Sequence, residues 1–246
     1  MHQGKDEALV CAGCLLFVPA VCTLLHKDDV VNSMLYMQLA ASKKHSRFTE
    51  FDGWDDTFVR AIVAFGWKLN SDTSTLQTPA SPEAVTLWDW ILADLPAFMP
   101  AGAITCAQAL SAACYMSAPD QPAVRLYADQ VLQSVPALTK ACSLPNPDDG
   151  CDAPSSTHVS MQLGFVGPDS SLFLAGVNFT SQLPLPPDFL FQPAASLQVS
   201  GSVQLTFYAL QLQEKPFSRN RAQVTRALAG RRQALTRALW EAAYGQ

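Results

Sequence analysis

Through the first 140 residues apolar positions recur every third or fourth residue, and after position 156 they recur every second residue. The first period predicts helices. Val31, Met34, Leu35 and Leu39 mark one face of a helix opened by Asp28-Asp29 and closed by Lys43-Lys44, a charge order that suits the helix dipole. Trp54, Phe58, Ile62 and Phe65 make a second stripe, with Asp52 as its expected N-cap. Asn70 to Ala80 is rich in Ser, Thr and Pro and reads as a loop. Ser81-Pro82-Glu83 predicts a third helix through Leu87, Trp88, Ile91, Leu92 and Leu95. An alanine-rich helix is expected over Ile104 to Ser117, and another begins at Asp120-Gln121-Pro122.

The second period predicts strands. Val159, Met161, Leu163 and Phe165 alternate with polar residues, Leu172 to Thr180 follows a Gly-Pro-Asp turn, and Leu197 to Leu212 alternates over a longer run. Gly201 suggests a bulge, and four prolines between Leu183 and Pro193 keep that segment out of a sheet. Val224, Leu228, Leu235, Leu239 and Trp240 then predict an amphipathic helix over residues 216–245. The expected fold is a single α+β domain over residues 1–246. Its helical part is 1–140, a small antiparallel β-meander of about three strands spans 156–213, and a C-terminal amphipathic helix closes it.

One stretch resists this division. Ala8 to Leu25 carries no charge, contains Pro19 and Gly13, and is preceded by Lys5-Asp6-Glu7. It reaches the lower length limit of a transmembrane helix, yet proline, glycine and the acids in front suit neither a span nor a secretory signal. A buried core helix broken near Pro19 is the leading reading. A membrane-inserting or acylated segment and an atypical export signal stay open.

Composition changes the picture in one respect. Apolar residues make up 49% of the chain and charged residues 15%, well under the usual quarter, so disorder is excluded and little polar surface remains to cover the core. A partner or a lipid surface is one way to cover the remainder. Seven basic residues and one acid between Lys215 and Gln246 leave that segment at +6, so the rest of the chain holds −11 of the net −5. Such asymmetry points to intramolecular docking or to an anionic partner met by Arg221, Arg226, Arg231, Arg232 and Arg237. The acidic bulk argues against general nucleic-acid binding. Seven cysteines cannot all pair within one chain, and five lie in apolar surroundings, so a reducing compartment is expected. Cys142 and Cys151, across a polar loop, are the disulfide candidate.

No catalytic motif emerges. The four histidines have no paired ligand spacing, and His26 beside Asp28 and Asp29 reads as structural or solvated before it reads as a metal or acid–base site. Cys11-Ala12-Gly13-Cys14 is a CxxC, but a redox motif follows a strand in a βαβ unit and a zinc site needs a second pair. Serine-elbow, phosphate-loop and dinucleotide motifs do not occur. Asp148, Asp149 and Asp152 lack the alternation and closing glutamate of a calcium loop, and Asp55, Asp56, Asp89 and Asp94 read as helix-surface acids. Asn178-Phe179-Thr180 matches a glycosylation sequon inside a predicted strand. No metal or cofactor is expected, apart from a covalent fatty acyl group as an open case. Cys11, Cys14 and Cys22 beside the apolar run are the lipidation candidates, with the arginine-rich end as a second membrane signal.

Two blocks, VVNSMLYMQLAASKK with FVRAIVAFGWKL, and VQLTFYALQLQEKPFSRNRAQVTRAL, resemble the S-palmitoylated bacterial virulence factor (Evf-like) proteins. The resemblance implies a mixed α/β fold and an acylated cysteine, which it assigns to none of the seven. The leading expectation is a non-enzymatic, virulence-related bacterial protein, cytoplasmic or peripheral to a membrane, that associates with a membrane or a host or partner protein. Export by a non-classical route stays open. The alternatives are a small-molecule-binding domain or enzyme with a pocket between helices and sheet, and a subunit of a larger assembly or an oligomer.

Overall fold

The structure, a computed structural model, describes residues 6–77, 86–94, 121–135, 156–167 and 169–239. The expected start of the third helix at Ser81, the alanine-rich helix, Asp148, Asp149 and Asp152, and the Cys142–Cys151 pair lie outside the described residues.

The uncharged N-terminal run is a β-hairpin and not a helix. β1 (Glu7–Cys11) and β2 (Cys14–Val18) pair antiparallel, with Cys11 opposite Cys14 and the two-residue turn Ala12-Gly13 between them. Ala12 takes a left-handed conformation with φ 49°. All of β2 is buried, because the sheet is covered on both faces. A strand buried on both faces loses its alternation, so an unbroken apolar run cannot be told from a core helix by period. Pro19 marks the end of β2.

α1 (Leu24–Ser42) follows, capped by the Thr23 hydroxyl, which accepts from the His26 amide at 3.2 Å. α2 (Phe51–Ala64) buries Trp54, Phe58 and Ile62 as the stripe predicts, but it begins one residue before Asp52 and has no side-chain cap. β3 (Trp67–Gln77) replaces the expected Ser/Thr-rich loop. It pairs along most of its length with β7 and lies at the sheet edge, so its polar residues are tolerated without an apolar face. α3 (Leu87–Asp94) and α4 (Pro122–Val131) follow, the latter with proline in its first turn as expected. β4 (Leu132–Val135), β5 (Ser156–Val166), β6 (Ser171–Ser181) and β7 (Val199–Leu212) complete the run of strands. β5, β6 and β7 are the three predicted strands, joined as an antiparallel meander.

The C-terminal segment also differs from a single closing helix. α5 (Glu214–Ala227) stops, Gly230 takes φ 78°, and a short α6 (Arg231–Leu235) runs into β8 (Thr236–Ala238), which pairs with β1. The left-handed turn at Gly230 suits glycine and ends the helical period there.

The fold is α+β, with an eight-stranded mixed sheet in the order β3-β7-β6-β5-β2-β1-β8 and β4 beside β5. This replaces the helical half and small meander, because the N-terminal hairpin, β3, β4 and β8 all join one sheet. Among the described strands only β2 and β5 run parallel. On one face, α1, α2 and α5 bury Leu16, Met34, Leu35, Trp54, Phe58, Trp67 and Phe217. On the other, α3 and α4 cover Phe17, Trp88, Tyr127, Val159, Leu163 and Phe165.

One irregularity positions the site. β6 flanks one side of β5 continuously, but the other side is shared by two partners. β4 lies against residues 156–159 and β2 against residues 162–165. Ser160 and Met161 fall between them, at a notch bridged by the hairpin turn, whose Gly13 carbonyl accepts from the Gln162 amide at 2.9 Å.

Candidate functional site

The notch is filled by Arg47. The connection from α1 to α2 is a tight loop in which the Ser46 hydroxyl accepts from the Phe48 and Thr49 amides, and Glu50 accepts from the Ser46 amide. This loop turns Arg47 inward, where it is only 8% exposed. Its Nε reaches the Ser160 hydroxyl at 3.4 Å, and its guanidinium lies 4.8 Å from the centre of the Trp54 ring. The Trp54 indole is itself fixed by donating to Ser42 Oγ at 2.8 Å.

A guanidinium has five N–H donors, and burial demands partners for them. Among the described residues, Nη2 is shut off from solvent with no hydrogen-bond partner, and no carboxylate pairs with Arg47. Burial pushes the guanidinium down to about 10, and nearby Tyr127 and Cys14 oppose that only in part. The Cβ of any residue larger than glycine at position 13 would fall 1.9 Å from Arg47 Nη1. Gly13 is therefore what admits the guanidinium to the notch.

Beside Arg47 opens a cleft of about 280 Å³. The end of α1 contributes Gln38, Leu39 and Ser42, the following loop His45, Ser46 and Phe48, and α4 the exposed Asp129 and Gln130, with Ala12 of the hairpin turn at its side. Gln38 locks that turn: its carbonyl accepts from the Gly13 amide at 3.0 Å and its amide donates to the Cys11 carbonyl at 3.0 Å. The cleft thus has a rigid apolar and amide wall, a buried cation and one acid on its rim. Its volume sits just under the ~300–1,000 Å³ of ordinary ligand pockets.

None of the predicted site residues that the structure describes lines the cleft, although Cys14 lies near Arg47. Cys11 and Cys14 face each other across the hairpin, both free thiols and fully buried. Burial raises both, and for Cys14 the neighbouring Cys11 adds to this while Arg47 opposes it. A buried protonated thiol is a poor nucleophile. Cys22 lies after β2 and is half-buried, with its thiol raised by burial against Lys27. It sits among Val21, Leu24 and Leu25, which are 71%, 72% and 56% exposed.

The arginines divide. Arg221 grips the buried Asp29 with two 2.8 Å bonds and also reaches Glu214 at 2.9 Å, while Arg232 pairs with Asp28. These two dock the C-terminal segment on α1 and are occupied in doing so. Arg226, Arg231 and Arg237 are exposed, and Arg237 donates to the carbonyls of Gln233 and Thr236. Asp28 and Asp29 are thus engaged by arginines. His26 is buried, both its ring nitrogens lack partners, and burial lowers its pKa. Among the described residues no three His, Cys, Asp or Glu side chains gather to hold a metal ion. Asp55 is no free surface acid: it is half-buried and accepts from the Tyr208 hydroxyl. Arg47 was invisible to sequence reading, since SKKHSRF looks like a solvated helix end.

Fold and site together define an α+β domain with an arginine-walled cleft at a break in its sheet. No protein-family model matches the chain, and no curated protein matches it significantly. No helix among the described residues is long and apolar enough to cross a membrane.

Proposed function

We propose that the chain is a small-molecule-binding domain whose ligand occupies the cleft between α1, the α1–α2 loop and α4. The observation that carries this reading is the preformed cleft of about 280 Å³ itself, with Leu39 and Phe48 beside Gln38, His45 and Asp129 in its lining. Binding sites combine such apolar walls with a few placed polar groups. Ligand-observed NMR on a fragment mixture tests it, with the wild type compared to Gln130→Trp, which roofs the cleft from its half-exposed rim. Fragments that bind the wild type and lose contact with the variant support the reading. Fragments that bind both equally, or none at all, reject it.

The exposed tip Val21, Leu24 and Leu25 favours a second reading, association with a membrane or a partner protein. Single exposed apolar residues are unremarkable, but three within five positions form a patch. It agrees with the resemblance to S-palmitoylated proteins in one detail: of Cys11, Cys14 and Cys22, only Cys22 is not fully buried. Liposome flotation of the wild type against Leu24→Ser/Leu25→Ser checks it. Loss of flotation in the variant supports the reading, and equal behaviour of the two proteins counts against it.

A further inference from the structure

We propose that His26 is a pH latch on the first turn of α1. While neutral it stays buried and holds the turn against the body of the protein; once protonated it leaves its pocket and frees the turn. The latch depends on neither of the two readings above. Three observations carry it.

The first is the pocket. His26 is 8% exposed, and both its ring nitrogens are shut off from solvent with no hydrogen-bond partner among the described residues. A neutral ring hides one donor and one acceptor there. An imidazolium brings two donors and a charge, which burial without partners disfavours far more strongly.

The second is the set of charges around the ring. Asp29 of α1, Asp169 of the turn between β5 and β6, and Glu214 at the start of α5 all favour the protonated form through space. None of them is bonded to the ring. Asp29 and Glu214 are held by Arg221, and Asp169 accepts from the Ser171 hydroxyl at 2.6 Å. Burial outweighs the three acids, so the ring stays neutral to lower pH than an ordinary histidine. Asp169 and Glu214 are themselves exposed, so a protonated ring that swings outward moves toward negative charge and water.

The third is position. His26 is the third residue of α1, where the helix dipole opposes a cation. Of residues 24–27 it alone is buried, so its ring is the main anchor of that turn. Its amide is the one capped by the Thr23 hydroxyl, and the Lys27 amide donates to the Thr23 carbonyl at 2.9 Å. Displacing the ring therefore pulls on the cap and on the exposed tip of Val21, Leu24 and Leu25 beside it. The opened turn takes up a proton near the ordinary histidine value of 6.5, and the closed pocket does so only below it. The latch is thus shut above that value and weakens as pH falls through it.

Amide hydrogen exchange of the full chain at pH 7 and pH 5, corrected for the intrinsic pH dependence of exchange, tests the latch. Protection of amides 26–28 is expected to fall several-fold at pH 5, while protection in α2 does not fall. His26→Phe, which has no proton to gain, is expected to abolish the difference. In the wild type, the His26 ring resonances are expected to titrate below 6.5, a readout that does not depend on a variant folding. Unchanged protection at pH 5 overturns the latch. So does a His26 ring that titrates at 6.5 or above, and so does a loss of protection that His26→Phe shares, which would assign the effect to another group.

Discussion

At the scale of single residues, two ionisable groups sit where the chain's own pattern disguises them. Arg47 follows two lysines and a histidine, and Asp55 is one of a pair of acids on a helix with an apolar stripe. Nothing in the spacing says that one is pulled into a notch and the other pressed against Tyr208. Burial raises Asp55 to about 6, and the Tyr208 hydrogen bond only partly offsets this. Its folded pKa thus lies above its unfolded value, so the folded state takes up a proton that the unfolded state does not. Stability attributable to this group rises as pH falls from about 6 toward 4. Asp55→Asn is expected to stabilise the protein at pH 7 by about 2 kcal/mol and to make no difference near pH 4, as urea titrations at both pH values would reveal. An equal effect at both pH values would point to packing instead. Cysteine access is a second check at this scale. Brief alkylation of native protein followed by peptide mapping is expected to label Cys22 and to spare Cys11 and Cys14, because the latter are fully buried and protonated. Labelling of Cys11 or Cys14 at the rate of Cys22 would contradict the hairpin.

At the scale of elements, legibility followed sequence pattern and not exposure. Strands β5, β6 and β7 were readable from apolar–polar alternation and turn signals in the sequence, although β5 and β6 are buried over most of their length, and α2 and α4 because an apolar stripe or a proline start marks them. The hairpin was not, because β2 is buried on both faces and its period vanishes. The Ala-Gly pair between two apolar pentads was the available turn signal. β3 failed for the opposite reason, being an edge strand of Ser, Thr and Asn with almost no apolar face. The closing helix was read through Gly230, the residue that ends it. What fastens that segment is the Arg221–Asp29 pair, which joins α5 to the first turns of α1. Asp29 is nearly inaccessible, so Arg221→Met is expected to leave a buried unpaired carboxylate and to cost about 3 kcal/mol in chemical denaturation. The double variant Asp29→Asn/Arg221→Met is expected to recover much of that loss. Additive losses in the double variant would mean that the two side chains do not act as a pair.

At the scale of the molecule, one sheet accepts elements from both ends of the chain: β1 and β2 from the start, and β8 from the far end against β1. Because β4 and β2 share one side of β5, they leave the notch at Ser160, and the cleft follows from that topology more than from any motif. The cleft is lined by α1, the α1–α2 loop, α4 and the hairpin turn, and no sequence motif marks these residues. In the +6 segment, Arg221 and Arg232 hold α1, and Arg226, Arg231 and Arg237 are exposed. The central proposal is that Arg47 belongs to the wall of the cleft and is not a strut of the fold. The most direct test is the unfolding free energy of ligand-free wild type against Arg47→Met in urea. A buried cation without a counter-charge is a liability that a methionine of similar length removes, so the variant is expected to be as stable or more stable. A loss of ~2 kcal/mol or more would make Arg47 a structural strut and contradict the account.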